Sequence, residues 1–247
     1  MLDADPQRWI RLDEVESTNS YLMHSDVPSG CVCLARRQTA GRGRRANDWV
    51  SHPDRSFVFS ACLVLPTEHA LVRRLALLPL AVGMAVLTAA RRKLMELRPD
   101  LASQSEFQIK WPNDVYLIRN ADVGKLAGIL IESESSATQV RIVIGIGLNW
   151  QGAITVAQPA GHIPPVSLFE RIDRPPEDLT AVLIEEINRR LLQLWSDEEP
   201  VVLDEVRRHF YLTGRVIQSG GMVYIVRGIA ADGALLVEDM DGRTAAV

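Results

Sequence analysis

Sixteen consecutive residues without a charge, LALLPLAVGMAVLTAA at positions 75–90, constrain the fold of this chain most strongly. The stretch is shorter than the roughly 20 apolar residues that a helix needs to cross a bilayer. Arginine pairs stand on both sides of it, and Pro79 lies near its start. A helix that is apolar on every side is stable in water only when other elements cover it. We therefore expect a buried core helix at about residues 71–94.

Short apolar runs between turn-forming residues predict a sheet to cover this helix. We expect strands at residues 9–15, 31–36, 56–65, 107–111, 115–118, 125–133 and 139–149, with a turn at 119–122. Apolar residues at helical spacing predict a helix from Pro175 to about Trp195, and a shorter one at 201–210. From Gly214 onward, glycine turns separate short strands at 215–217, 222–229, 234–238 and 243–247. That β module of about 35 residues is too small for an independent core, so it must lean on the rest.

Charge and cysteine content argue against several classes of function. The net charge of -4 and the pI near 5.8 argue against a protein whose main partner is a nucleic acid, because such proteins usually carry a basic excess. Three cysteines without a C-x-x-C pair predict neither a disulfide framework nor a zinc site. The N-terminus lacks the pattern of a signal peptide. We expect a cytoplasmic protein that does not enter a membrane.

The stretch RQTAGRGRRANDW, residues 37–49, is the local exception to the acidic balance. It is not a Walker A loop, which needs a lysine and a Ser/Thr after its last glycine, and it lacks the third glycine of a dinucleotide fingerprint. Its glycines permit close approach of a ligand, and guanidinium groups suit carboxylate and phosphate oxygens. A solvated basic loop that binds nothing explains this stretch almost as well.

Four other motifs have ordinary structural explanations when each is taken alone. Residues 17–19, Ser-Thr-Asn, form a standard helix cap, and KWPND at 110–114 is typical of a turn between strands. The lysine of GKLAGILIES, residues 124–133, stands at a strand end where it would normally face solvent. The glycines of IGIGLNW, residues 144–150, could be simple bends.

The combination of these motifs, in this order, resembles the biotin–protein ligases, also called biotin–[acetyl-CoA-carboxylase] ligases. The matching elements are E-S-T-N at 16–19, Q-T-A-G-R-G-R-R at 38–45 with a following tryptophan, K-W-P-N-D at 110–114, K-L-A-G-I-L-I-E at 125–132 and G-I-G-L-N at 145–149. The resemblance covers nearly the whole chain. It implies an α+β fold of the biotin/lipoate ligase type, similar to class II synthetases, in which a mixed sheet carries helices mainly on one side. It places this catalytic domain at residues 1–200 and a small SH3-like β-barrel at 201–247.

The resemblance also implies a reaction. The family joins biotin to ATP, with Mg²⁺, to form biotinyl-5′-AMP and pyrophosphate, and then passes biotin to a lysine of the biotin carboxyl carrier protein of acetyl-CoA carboxylase. A carboxylate, whose pKa is about 4, is already ionised at neutral pH, so the first step needs no general base. The obstacle is to bring one anion onto another, which calls for fixed cations.

Site residues carry over from the family position by position. The implied catalytic cations are Lys125, Arg42 and Arg44. Ser17, Thr18, Asn19 and Gln38 would hydrogen-bond the ureido ring of biotin, while Trp49 and Asn149 would lie on the adenine side. Asn113 and Asp114 would lie near the phosphates and Mg²⁺, with Asp114 as its candidate ligand. The remaining predicted binding residues are Gly41, Gly43, Lys110 and Gly128, and the loop glycines would let the loop close over the adenylate.

The sequence departs from the family pattern in the arginine-rich loop and at the C-terminus, and only a short segment precedes the first motif. Residues 46–48 read Ala-Asn-Asp where many relatives have G-R-x. The sequence ends at Val247 where relatives usually continue with a closing strand, so we expect either a shorter barrel or one cut before its last strand. Fifteen residues precede E-S-T-N, so we expect no operator binding by a DNA-binding domain.

Three alternatives and the oligomeric state stay open on the sequence. The alternatives are a lipoate–protein ligase with the same fold, a non-enzymatic nucleic-acid-binding module and an inactive ligase homologue. Nothing in the residues decides between a monomer and a homodimer.

Overall fold

The computed structural model describes residues 1–154, 162–171, 178–196 and 201–247. The helices are α1 (Thr18–His24), α2 (Ala70–Arg73), α3 (Leu78–Leu97), α4 (Pro99–Ala102), α5 (Leu179–Ser196) and α6 (Val201–Arg208). The strands of the first sheet are β1 (Ile10–Val15), β2 (Val32–Gln38), β3 (Ser56–Pro66), β4 (Ser105–Lys110), β5 (Asp114–Arg119), β6 (Asp122–Ser135) and β7 (Gln139–Asn149). The strands of the second sheet are β8 (Val216–Ser219), β9 (Met222–Ile229), β10 (Leu235–Asp239) and β11 (Thr244–Ala246).

The first sheet has seven strands in the order β1-β2-β3-β7-β6-β5-β4. The β1–β2 pair is parallel and all other neighbours are antiparallel, so the predicted mixed sheet is confirmed. A two-residue turn joins β5 to β6, with Asn120 and Ala121 both at positive φ. This backbone twist matches that of the flanking strands, which explains why so short a connection works here.

The charge-free stretch forms the core helix, but the predicted single helix from residue 71 is wrong at its start. The short helix α2 and a 3-10 turn at Leu75–Leu77 precede α3, which begins at Leu78. Pro79 lacks an amide hydrogen and therefore occupies the first turn of α3, where no partner is needed. The segment Leu75–Leu97 is long and apolar enough to span a membrane, yet 67% of its apolar window is buried inside the protein.

The two faces of the sheet bury different elements. Along β7, Ile144, Ile146 and Leu148 belong to the main core, which also contains the buried face of α3. On the other face, Val143 packs with Leu22 of α1 and with the three cysteines. Helices α5 and α6 pack on α3. The helices therefore lie mainly on one side of the sheet, as predicted, and the face shared with α1 leaves room for a pocket.

The second sheet is antiparallel, in the order β11-β10-β9-β8. Its inner residues, Val226, Ile229, Leu235 and Val237, join the main core, as the small size of this module requires. The Trp111 indole nitrogen also donates to the Gly233 carbonyl oxygen at 2.9 Å.

Some predicted boundaries fall differently or cannot be compared. Helix α6 ends at Arg208 and packs on α3 and α5, although the predicted division at residue 200 groups it with the β module. That division stays a prediction. The expected helix start at Pro175 lies outside the described residues.

Candidate active site

A cavity of 390 Å³ lies between the arginine-rich loop and the α1 side of the first sheet. Three neighbouring strands supply its floor. Ser60, Gly145 and Leu130 stand side by side in register on β3, β7 and β6. Val58, Gly147 and Gly128 form the next row toward the strand ends, and Asp114 on β5 continues it.

The two glycines of β7 make space for side chains from other elements. A Cβ on Gly145 would lie 2.2 Å from Asn19 Oδ1, and a Cβ on Gly147 would lie 2.1 Å from Trp49 Cε2. Real Cβ atoms do not approach other atoms so closely, so any other residue would displace Asn19 or Trp49. These glycines are therefore part of the pocket rather than mere bends in the strand.

A chain of hydrogen bonds forms one end of the pocket. Thr18 offers its backbone N–H and hydroxyl to Gln38 Oε1, at 2.8 and 3.0 Å. Thr18 Oγ1 also lies 2.7 Å from Ser60 Oγ, and Ser60 donates to Asn19 Oδ1 at 2.6 Å. Ser17, which lines the same wall, caps α1 through Ser20 N at 3.4 Å. The segment is thus a helix cap and a pocket wall at once.

The arginine-rich loop folds back on itself as a hairpin. Trp49 N donates to Gly41 O at 2.9 Å, and Gly43 N donates to Asn47 O at 2.7 Å. The side chain of Asn47 donates to Arg44 O at 2.9 Å and so closes the turn, in which Arg45 adopts a left-handed backbone with φ of 55°. A Cβ on Gly41 would lie 2.3 Å from Trp49 O. This hairpin therefore requires a glycine at its base.

Cations line the rest of the pocket, and three of them have acidic partners. Lys125 Nζ lies 2.8 Å from Asp114 Oδ1, and Lys110 Nζ lies 3.8 Å from Asp114 Oδ2. Arg42 pairs with Glu132 at 2.9 Å. Arg44 has a neutral neighbour, the Asn113 amide oxygen, at 3.5 Å, which is long for a hydrogen bond. This end of the pocket can therefore attract an anion.

The backbone on both sides of Lys125 is fixed by a crossing segment. Lys125 N donates to Pro164 O at 2.7 Å, and Val166 N donates to Lys125 O at 3.0 Å. Asn149 Nδ2 donates to the same Lys125 oxygen at 3.1 Å, and Asn149 is 2% exposed. In this arrangement Asn149 supports the strand that carries Lys125.

The pocket brings most of the predicted residues together. The predicted residues that line it are Ser17, Thr18, Asn19, Gln38, Arg42, Gly43, Arg44, Trp49, Lys110, Asn113, Asp114, Lys125 and Gly128. Gly41 and Asn149 lie behind the lining, at the base of the hairpin and beneath Lys125.

The sequence did not indicate several residues that build the pocket. Ser60 lies in an apolar strand run, and Leu212, Ile217 and Leu235 come from the C-terminal part of the chain. Glu132, which pairs with Arg42, belongs to the quoted motif K-L-A-G-I-L-I-E, but nothing local shows that it faces Arg42 and Asn19. All of these contacts depend on strand register and long-range packing.

Comparisons with known proteins give a consistent result. The sequence model of the biotin/lipoate A/B protein ligase family matches residues 11–149. The biotin–[acetyl-CoA-carboxylase] ligase of Mycobacterium tuberculosis is 32% identical over 97% of this chain and 87% of its own length. The bifunctional ligase/repressor BirA of Escherichia coli is 33% identical over 92% of this chain and 68% of its own length.

A solved structure shares the fold. The biotin protein ligase of Aquifex aeolicus, solved in complex with biotin and ATP, superimposes with a TM-score of 0.73. It is 24% identical in sequence, and the match covers 98% of this chain and 95% of that one.

Proposed function

This chain belongs to the biotin/lipoate A/B protein ligase family and, within it, to the biotin–protein ligases; from that premise we propose how its pocket carries out the reaction. Biotin and ATP form biotinyl-5′-AMP and pyrophosphate, and the biotinyl group then passes to a lysine of a carrier protein. The observation that supports this most directly is the division of one cavity into a neutral hydrogen-bonding end and a cationic end.

The neutral end suits the ureido ring of biotin. That ring offers two N–H donors and one carbonyl acceptor, and it carries no charge. Asn19 Oδ1 provides an acceptor, while the hydroxyls of Ser17, Thr18 and Ser60 can donate or accept. These groups already bond to one another, but a purely apolar acyl chain would exclude water from the wall and give their remaining donor and acceptor positions no partner, which is unfavourable. The pocket therefore favours biotin over lipoate.

The cationic end suits the reacting groups. One oxygen of the biotin carboxylate bonds to the α-phosphorus while the bond from that phosphorus to the pyrophosphate oxygen breaks. Lys125 and Arg44 lie where they can offset the charge on the carboxylate and phosphoryl oxygens. Asp114 holds Lys125 at 2.8 Å and fixes its ammonium group within the pocket.

The second step, transfer of the biotinyl group to the carrier protein, takes place in the same pocket. A neutral lysine amine of the acceptor forms a bond to the biotinyl carbonyl carbon, AMP leaves with the electrons of the broken anhydride bond, and the nitrogen of the new amide loses one proton to solvent. We propose that the hairpin of residues 41–49 covers the adenylate and keeps water from hydrolysing it. The acceptor proposed on the basis of similarity is the biotin carboxyl carrier protein of acetyl-CoA carboxylase, and the site of the reaction is the cytoplasm.

The residues present do not fit a Mg²⁺ ion held by the protein alone. Both Asp114 oxygens face lysine ammonium groups. Within the described part of the chain, no group of three or more His, Cys, Asp or Glu side chains could hold a metal ion. Mg²⁺ is commonly bound largely through substrate phosphates, so we assign it no protein ligand in this pocket.

Exchange of labelled pyrophosphate into ATP tests the proposal directly. We would compare purified protein with biotin, with lipoate and with no acid. Exchange that requires biotin is the expected result. Exchange with lipoate alone would assign the protein to the lipoate branch of the family, and no exchange with either acid would contradict the proposed function.

A further inference from the structure

Glu132 is an acidic residue at the edge of the pocket for which the reaction just described has no use. It lies on β6, opposite Val143 of β7, and its side chain is 25% exposed. A partly buried carboxylate beside a pocket for anionic substrates is unfavourable unless hydrogen-bond donors and cations offset its charge. Its contacts show which groups do so.

Two predicted site residues bind the Glu132 carboxylate at the same time. Asn19 Nδ2 donates to Glu132 Oε2 at 2.8 Å. The terminal nitrogen Nη2 of Arg42 lies 2.9 Å from both Glu132 oxygens. Asn19 belongs to the wall that faces the biotin ring, and Arg42 belongs to the hairpin. Glu132 therefore links the wall to the hairpin.

The contact with Glu132 also decides which way the Asn19 amide points. Asn19 Nδ2 has two acceptors, Glu132 and the Leu130 carbonyl oxygen at 3.3 Å, whereas Oδ1 receives the Ser60 hydroxyl. Hydrogen bonds to an ionised group are about twice as strong as those between neutral groups. The carboxylate is thus the main reason that the nitrogen points away from Ser60. The oxygen is left as the acceptor available to a ring N–H.

We propose that Glu132 is a positioning residue for biotin recognition: it orients the Asn19 amide so that Oδ1 accepts from the ureido ring, and it holds Arg42 of the hairpin beside that ring. This inference rests on the proposed function, because it assigns Glu132 a part in binding the substrate of that function. Glu132 itself touches neither the reacting carboxylate nor the phosphates.

Glu132→Gln is the first variant for the test. The amide keeps one acceptor oxygen but loses the charge that holds Asn19 and Arg42. The variant should bind biotin about tenfold more weakly, the loss expected for one charge-assisted hydrogen bond. The KM for ATP should change little. Glu134→Gln is the matched control, because Glu134 lies two residues farther along β6, on the same face, and is exposed.

An exchange of the two side chains tests the contact itself. Asn19→Asp alone places two carboxylates at hydrogen-bond distance and should weaken biotin binding more than tenfold. Asn19→Asp combined with Glu132→Gln restores one amide, one carboxylate and the original net charge. Binding by the double variant should return to within about threefold of the wild type. A role for Glu132 that does not act through Asn19 would not produce such a rescue.

Biotin titration by calorimetry without ATP, with pyrophosphate exchange measured beside it, separates the possible outcomes. Wild-type protein without biotin-dependent exchange would sink the proposed function itself. Active wild type together with a Glu132→Gln variant that binds biotin normally would overturn this inference alone. A double variant no better than Asn19→Asp would also overturn it. Melting temperatures near that of the wild type confirm that each variant folds.

Discussion

Gly147 and Trp49 lie so close together that a methyl group on the glycine would overlap the indole ring at 2.1 Å. Two residues earlier on the same strand, Gly145 has the same relationship with Asn19, at 2.2 Å. One strand therefore makes room for one side chain at each end of the pocket. Asn19 is assigned to the biotin ring, whereas the resemblance assigns Trp49 to the adenine of ATP, so the glycines should have separable roles.

Adding a methyl group at each glycine tests this separation. Gly147→Ala displaces Trp49 and should raise the KM for ATP by at least about tenfold while changing the KM for biotin little. Gly145→Ala displaces Asn19 and should raise the KM for biotin while changing the KM for ATP little. Steady-state kinetics on both variants, with circular dichroism to verify folding, make the comparison. Equal effects of both substitutions on both substrates would refute the division of the pocket.

Lys125→Ala should reduce the rate of pyrophosphate exchange by about 10²–10³-fold, the usual cost of removing one group that stabilises developing charge. Lys110→Ala is the matched control, because Lys110 lies on the other side of Asp114 at the longer distance of 3.8 Å. A larger loss in the Lys110 variant than in the Lys125 variant would reverse the assignment.

Asn47→Ala should loosen the hairpin, because the Asn47 side chain closes the turn through Arg44 O. We expect faster amide hydrogen exchange in residues 41–49 of the free protein and faster release of bound adenylate. Peptides from β7 provide the internal control. Bound adenylate should slow exchange in the wild-type hairpin, and equal exchange rates with and without adenylate would rule out closure of the loop.

The cysteines should be inert at neutral pH. The pKa of Cys33 is raised to about 12, mainly because the thiol is buried and secondarily because Cys31 lies nearby. Burial also raises the pKa of Cys31 and Cys62. In the unfolded chain these thiols ionise at a pKa near 8.5. The stability that depends on the neutral thiols is therefore complete below about pH 8.5 and is lost as pH rises toward 12.

Two measurements check this behaviour. A thiol reagent at pH 8 should modify the native protein slowly and the urea-unfolded protein at once. The urea midpoint of the wild type should fall between pH 8 and pH 10, and it should fall less in Cys33→Ala. Rapid modification of three thiols in the native protein would show that the cluster is accessible.

The sequence predicted the elements that have strong local signals. The strand at residues 139–149 has its observed bounds, because an apolar run ends there in glycines and Asn149. The turn at residues 119–122 was also correct. The predicted start of the core helix was wrong, because apolar content alone does not show that Pro79 must lie in the first turn of α3.

The site was predicted as a set of residues but not as a set of contacts. Thirteen of the predicted residues line one cavity. Their membership of one site was predictable because the motifs that carry them occur together in one family. The contacts of Glu132 with Asn19 join residues that are 113 positions apart, and only the strand register brings them together. The same holds for Asn149, which reaches the Lys125 carbonyl oxygen from the neighbouring strand β7.

The alternation along β7 has a practical consequence for protein engineering. Ile144, Ile146 and Leu148 carry the apolar burial of this strand, whereas Gly145 and Gly147 between them shape the cavity. Substrate range and thermal tolerance therefore depend on separate sets of positions within five consecutive residues. A library that varies Ser60 and Leu130 beside Gly145, and keeps the buried face constant, should yield variants that accept reshaped biotin analogues without losing heat resistance.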